Sequence, residues 1–298
     1  MKNKNFKSGF AAIIGMPNVG KSTLLNLIAG QKIAIISDKP QTTRNKILAI
    51  YTTENEQIIF TDTPGIHKPH NKLSEYMVQV AKDSMQDTDV IIFVVDASKE
   101  IHETERKIAE QIAKIGLPCI LVINKIDLIR KERLLPMIAD YSNLYDFEEI
   151  VPISAKTGDG AELLVDKIRN YLEEGPQFYD EDTVTDQPEK QIAAEIIREK
   201  MLRLLDKEVP HGIAIGIDKM QEGDKITSIY ATIYCEKASH KGIIIGKGGE
   251  MLKKIGSLAR RDIEEMLDKK VYLQLWVKIK QDWRNSDTMI KNFGYEKE

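Results

Sequence analysis

Along the first 175 residues, short runs in which nearly every position is apolar alternate with longer segments whose apolar positions recur at helical spacing. The apolar runs predict strands near residues 10–15, 46–52, 57–61, 90–95, 118–123 and 149–153. The periodic segments predict helices at 22–29, 73–85, 103–115, 131–141 and 160–172. Runs apolar at every position belong to strands buried on both faces, so the pattern is that of an α/β domain with helices on both sides of a sheet. The second and third strands are separated only by residues 53–56, too short for a parallel crossover. That pair is expected to be an antiparallel hairpin in an otherwise mostly parallel sheet.

After Gly175-Pro176 the pattern stops. Residues 177–190 carry five acids (Asp180, Glu181, Asp182, Asp186, Glu189) and little to bury, and read as a linker. Beyond it come a helical stretch (191–208), two strand-like runs (212–218 and 226–235), a glycine-rich turn, another helical stretch and a last strand at 271–279. The expected organisation is a domain at 1–176, an acidic linker at 177–190, and a small α+β domain with a C-terminal extension at 191–298.

Charge sharpens this division. The chain of 298 residues has a net charge of −3, but residues 1–190 carry −6 and residues 191–298 carry +3, so a polyanion would meet the C-terminal part. The two cysteines, Cys119 and Cys235, lie far apart in apolar runs and form no CxxC pair, which excludes a disulfide framework. Strand-length apolar runs are too short to span a bilayer, and the opening MKNKNFKSGF has no apolar signal core. A reduced, cytoplasmic location is expected.

Gly15-Met16-Pro17-Asn18-Val19-Gly20-Lys21-Ser22 fits GxxxxGK[ST] between an expected strand and an expected helix. Backbone amides of such a loop point at phosphate oxygens, its lysine reaches the outer phosphates and its serine ligates Mg²⁺. Asp62-Thr63-Pro64-Gly65 ends the third strand, where the carboxylate can hold a water of the magnesium shell and the Gly65 amide can approach a γ-phosphate. Asn124-Lys125-Ile126-Asp127 and Ser154-Ala155-Lys156 each follow a buried strand. The Asp127 carboxylate can accept from the ring NH and exocyclic amine of guanine, whereas adenine would leave it unpaired. Lys125 is expected to lie along the base plane and the Ala155 amide to donate to the guanine carbonyl. In this order the four elements select GTP and GDP, and the guanine-selecting carboxylate argues against a metabolic kinase.

The ordered set GMPNVGKS, DTPG, NKID and SAK resembles a translation-factor-class GTPase, and PNVGKS with QTTRN resembles the Era-type bacterial GTPases. From spacing alone, residues 41–45 are only a polar loop; the resemblance implies a switch threonine there that closes over Mg²⁺, placed on Thr43 with Thr42 as the alternative. With Lys21, Asp62 and Gly65, Thr43 completes the expected catalytic set. Ile66 stands where a Ras-like enzyme has a water-orienting glutamine, and an apolar side chain cannot position a nucleophile. By resemblance Asn18 is a candidate K⁺ ligand, the cation offsetting negative charge as the β–γ bond breaks. His67 and His70 read as parts of a solvated second switch rather than as a general base.

In the C-terminal part, Gly246-Lys247-Gly248-Gly249 is a GxxG turn between an apolar run and a helical stretch. Six bases against one acid lie between Lys241 and Arg261, among them Lys247, Lys253, Lys254 and Arg260, which favours phosphate contact. The order helix, strand, strand, GxxG turn, helix, strand resembles the type II KH domain, which holds about four single-stranded nucleotides across the GxxG cleft. Ile243–Ile245, Ile229 and Ile233 are the expected apolar wall of that cleft. Trp276 and Trp283 are candidates for base stacking; Trp276 lies on the opposite parity from the apolar row of its strand, and packing against the GTPase domain or the last helix is the alternative role.

The fold expected is thus a P-loop GTPase domain followed by a type II KH domain, and the function a GTP-controlled RNA-binding switch. The resemblance further implies single-stranded RNA near the 3′ end of 16S rRNA, a role in 30S ribosomal subunit assembly, a monomer, and weak peripheral contact with the inner membrane face. The competing reading is a GTPase whose C-terminal domain docks a protein or the membrane surface.

Overall fold

The computed structural model describes residues 6–295. The first five residues, part of the segment read as lacking a signal core, and the last three of the C-terminal extension lie outside this range. The described chain falls into two compact units: residues up to Ala34 with Thr43–Pro69 and Tyr76–Asp186, and Ile35–Thr42 with His70–Glu75 and the chain from Gln187 onward.

The chain runs β1 (Lys7–Ile14), α1 (Lys21–Ala29), β2 (Ile47–Thr52), β3 (Glu56–Asp62), α2 (Lys72–Asp83), β4 (Val90–Asp96), α3 (Glu103–Ile115), β5 (Cys119–Asn124), α4 (Leu134–Ser142), β6 (Glu149–Pro152), α5 (Ala161–Ile168) and β7 (Glu173–Glu174). The sheet order is β2-β3-β1-β4-β5-β6, with β7 added beside β1. The β2–β3 pair is the antiparallel hairpin expected from its short connection, and β1, β3, β4, β5 and β6 pair in parallel. Along β4, Val90, Ile92 and Val94 enter one core while Ile91, Phe93 and Val95 enter another on the opposite face. Burial on both sides is why these strands read as unbroken apolar runs. Helix α3 begins at a capping box, in which His102 accepts from the Thr104 amide and Glu105 accepts from the His102 amide at 2.8 Å.

The acidic segment expected to be a linker is part of the first unit. The amides of Phe178 and Tyr179 donate to Gln57 Oε1 at 2.8 and 2.9 Å, and the Ile50 amide donates to the Val184 carbonyl at 2.9 Å. The Phe178 ring packs tilted against that of Phe10, with centroids 5.2 Å apart. Those few apolar residues and backbone bonds anchor a stretch whose charges alone suggested solvent, so the units divide at Asp186–Gln187.

The second unit continues with α6 (Glu189–Leu204), β8 (Ile213–Gln221), β9 (Ile226–Cys235), α7 (Ala238–Ile245), α8 (Glu250–Leu267), β10 (Lys270–Ile279) and α9 (Asp287–Asn292). Its sheet has the order β10-β9-β8, with β9 antiparallel to β8 and parallel to β10. Helices α6, α7 and α8 close the core over Ile229, Ile233, Val271 and Val277. The apolar run 243–245 lies in α7, a helix the sequence pattern did not reveal: Ile244 is buried while Ile243 is half exposed.

Trp283 is not available for base stacking. It is fully buried, its Nε1–H donates to the Gly212 carbonyl at 3.0 Å, and Phe293 meets it edge-on at 5.2 Å. Trp283→Ala should therefore destabilise the second unit by about 3–5 kcal/mol. Urea unfolding followed by circular dichroism checks this, and an unchanged midpoint would contradict the assignment of Trp283 to the core.

Candidate nucleotide site and nucleic-acid cleft

In the first unit, parallel strands deliver their C-terminal ends to one edge of the sheet, where the loops after β1, β3, β5 and β6 gather. That edge is where open α/β sheets hold ligands. Residues 15–20 form the loop between β1 and α1, and the Lys21 ammonium folds over it, donating to the carbonyls of Met16 at 3.0 Å and Gly15 at 3.3 Å. Burial pulls the Lys21 pKa down to about 8, against the opposing pull of Asp62. An arriving phosphate would stabilise the charged form.

Ser22, Thr43 and Asp62 meet in a tight oxygen cluster. The Ser22 hydroxyl donates to Asp62 Oδ2 at 2.6 Å, the Thr43 hydroxyl lies 3.2 Å from the same oxygen, and the two hydroxyls are 2.9 Å apart. Asp62 is fully buried and its other oxygen, Oδ1, has no hydrogen-bond partner. Burial raises the Asp62 pKa, opposed by Lys21, Ser22, Thr43 and the Thr63 amide. An unpaired buried carboxylate oxygen beside two hydroxyls is a donor set suited to a hard, oxygen-seeking cation, and Mg²⁺ fits it. No group of three or more His, Cys, Asp or Glu side chains that could hold a metal ion occurs among the described residues, so a cation here would complete its shell with water and phosphate.

The remaining DTPG residues hold the loop in place. Thr63 donates to the Ile13 carbonyl at 2.9 Å, and a Cβ on Gly65 would sit 2.7 Å from the Pro17 nitrogen. Only glycine lets the two loops approach this closely. Ile66 is buried in the core beside Phe93 and Val95, so it contributes packing, and its amide donates to the Gly15 carbonyl at 3.1 Å.

On the base side, Asn124 donates to the Val19 carbonyl at 2.8 Å while its Oδ1 accepts from the amides of Lys125 and Ala155 at 2.8 and 2.9 Å. The Ala155 amide, expected to face the guanine carbonyl, is thus engaged by Asn124. Lys125 reaches across to the Asn18 carbonyl at 2.6 Å and to Asp96 Oδ2 at 2.7 Å. Burial pushes the Asp96 carboxyl up, but hydrogen bonds from Lys125 and Ser98 outweigh it and hold the pKa below its ordinary value. Asp96, which orients Lys125, was not singled out from sequence; its signal is an acid ending the apolar run of β4.

Asp127 accepts from the Ser154 hydroxyl at 2.7 Å and lies exposed at the rim rather than buried. A bound base would itself have to cover it. Lys156 is exposed nearby in sequence, after Ala155.

In the second unit, Gly249 at the start of α8 and Leu252, Lys253, Gly256, Ser257 and Arg260 on it face Leu273, Gln274 and Leu275 on β10 across a cleft of about 380 Å³. Gly246, Lys247 and Gly248 form the turn that opens it, with Lys247 and Gly248 exposed. A Cβ on Gly246 would fall 2.7 Å from that of Met251, which closes the α7–α8 corner. Lys241, on α7, and Lys254, on α8, are not among the residues that line the cleft. Nor are Ile229 and Ile233, which are fully buried on the core side of β9. The apolar wall is made of Leu252, Leu273 and Leu275 instead.

Comparison with known proteins finds relatives of both units. Residues 10–125 match the family model described as a 50S ribosome-binding GTPase, and residues 208–284 match that of the KH domain. The molecule is a P-loop GTPase carrying a KH domain. The GTPase Era of Ruminiclostridium cellulolyticum is 56% identical over 293 residues, covering 98% of both chains. That of Clostridioides difficile is 55% identical, covering 97% of this chain and 99% of the relative. A crystal structure of Aquifex aeolicus Era bound to GDP and AlF4⁻ superposes with a TM-score of 0.95 at 42% identity, covering 98% of this chain and 100% of the other. A structure of Era with MgGDPNP and nucleotides 1506–1542 of 16S ribosomal RNA also gives 0.95, at 43% identity and with the same coverage. The chain belongs to the GTPase Era family and is a GTPase.

Asp127→Asn places an amide NH₂ where guanine presents a donor and xanthine a carbonyl. GTP affinity should fall at least about a hundredfold while xanthosine triphosphate is gained, measured with fluorescent nucleotides. Unchanged GTP binding would remove Asp127 from base recognition.

Proposed function

We propose that this GTPase is a nucleotide-controlled RNA-binding switch whose KH cleft takes single-stranded RNA from the 3′ region of 16S rRNA during 30S subunit maturation. The RNA target is suggested by the solved relative in complex with nucleotides 1506–1542 of 16S rRNA. Lys21 engages the outer phosphates, the Gly65 amide meets the γ-phosphate, and Asp127 reads guanine. Ser22, Thr43 and Asp62 hold Mg²⁺. The charge of a cation bound there would offset that of the phosphates.

The observation that carries the switch reading is the division of the chain between Thr42 and Thr43. Thr43 is hydrogen-bonded in the nucleotide site. Its chain neighbour belongs to the second unit, where the buried Arg198 guanidinium of α6 donates to the Thr42 and Gln41 carbonyls and Glu199 accepts from the Ile36 amide at 3.2 Å. A threonine that follows the γ-phosphate would pull on a segment bound to α6. For coupling, GTP must favour one position of that segment over another, since tight binding to both shifts nothing.

RNA crosslinking and sequencing on the full chain loaded with GTP analogue or GDP tests this, with a Lys247→Asp, Gly248→Asp double variant alongside. A single ribosomal segment that depends on both nucleotide and GKGG turn is the expected result. Diffuse, nucleotide-blind RNA that survives the double variant would return the KH unit to protein docking.

The K⁺ reading has its own test. Asn18 adopts a left-handed backbone, φ 65°, within the phosphate loop, and the buried Ile66 offers no polar group to orient water. Hydrolysis should run faster in K⁺ than in Na⁺ and lose that preference in Asn18→Ala. Equal rates in the two salts would dismiss the cation.

A further inference from the structure

Strand β10 is an edge strand of the second unit's sheet, and its residues alternate between two faces. Val271, Leu273, Leu275 and Val277 point to the core side. Tyr272, Gln274, Trp276 and Lys278 point the other way, as do Tyr230 on β9 and Lys219, the register partner of Tyr230 on β8. Tyr272 is 51% exposed and Trp276 41%. Tyr230 bridges them, its ring stacked on Trp276 at 6.1 Å and 19° and edge-on to Tyr272 at 6.0 Å. Three aromatic rings on adjacent strands are thus held in a preformed patch open to solvent.

The surroundings favour nucleic acid as the occupant. Lys219 and Lys278 are both exposed on this face, whereas its acid, Asp218, accepts from the Thr232 hydroxyl at 2.7 Å. The patch is also continuous with the GKGG cleft. Gln274 lines that cleft and shares the outer parity of Tyr272 and Trp276, each two residues and roughly 7 Å away along the strand. About one nucleotide step therefore carries a chain from the cleft, over the open edge of β10, onto the rings.

We propose that the outer sheet face formed by Tyr230, Tyr272 and Trp276, with Lys219 and Lys278, is a stacking platform for single-stranded RNA that extends the KH cleft around the edge of β10. This rests on the reading of the cleft as an RNA site. Aromatic faces accept any base, so the platform lengthens the site without narrowing its sequence preference, and the lysines track the phosphates.

Trp276 also supplies a direct readout, because Trp283, the second tryptophan, is fully buried. The test uses the full chain loaded with GTP analogue and single-stranded RNAs cut from the 16S 3′ region, one of about four nucleotides and one of about eight. The longer RNA should quench Trp276 emission and bind more tightly; the shorter should bind without quenching. Tyr272→Ala with Trp276→Ala should weaken the longer RNA about ten- to a hundredfold and leave the shorter unchanged. Trp276→Phe, which keeps a ring, should restore most of that affinity, and unfolding midpoints confirm that these exposed substitutions leave the fold intact. Absent quenching, or equal losses for both RNAs, would overturn the platform and leave the face to a protein partner. If neither RNA binds the unmodified protein, the cleft reading itself fails and the platform falls with it.

Discussion

The nucleotide site depends on one side-chain amide. Asn124 is nearly inaccessible and satisfies its carboxamide across three loops: the carbonyl of Val19, the amide of Lys125 and the amide of Ala155. Each of those loops follows a parallel strand, and β1 and β5 are buried on both faces. The sheet fixes where the loops start, and Asn124 fixes how they meet. A buried group with fully used polar atoms is favourable, whereas one with an orphaned partner costs about 1–3 kcal/mol, so the three loops are held as a set.

Beside that rigid junction lies a centre that is electrostatically unfinished. Lys21 and Asp62 are both buried, and burial pushes the lysine toward its neutral form and the aspartate toward its protonated form. Their mutual attraction works against both shifts, with hydroxyls from Ser22 and Thr43 assisting the carboxylate. A phosphate for the lysine and a cation for the orphaned Asp62 Oδ1 would relieve both penalties at once. The site is therefore organised for a joint ligand of anion and metal rather than for either alone.

Where every residue of a strand is apolar, as from Val90 to Val95, the sequence pattern was unambiguous, because both faces are covered. The loop motifs were legible for a similar reason, since phosphate and guanine recognition leave few residue types to choose from. What escaped were features that depend on distant partners. The acidic stretch before α6 looked solvated, yet Gln57, Phe10 and the edge of β2 bind it. Helix α7 escaped because its three consecutive isoleucines read as an apolar run, although only Ile244 of the three is buried. The grouping of residues 35–42 with the second unit had no local sign at all, since it rests on Arg198 and Glu199 far along the chain. The exposure of Asp127 was equally hidden, because spacing shows which loop a residue occupies but not how deep it lies.

The two tryptophans separate what pattern and packing each decide. Both sit near the chain end, and both were candidates for stacking on bases. Parity along β10 already set Trp276 apart from the apolar row, and the structure leaves it on an open face with two tyrosines. Trp283 follows the strand, where no alternation applies, and its indole N–H finds the Gly212 carbonyl inside the core. A buried indole needs such an acceptor, and an exposed ring needs none. Chemistry available to a ligand therefore concentrates where a polar-side strand position carries an aromatic residue that the fold does not need.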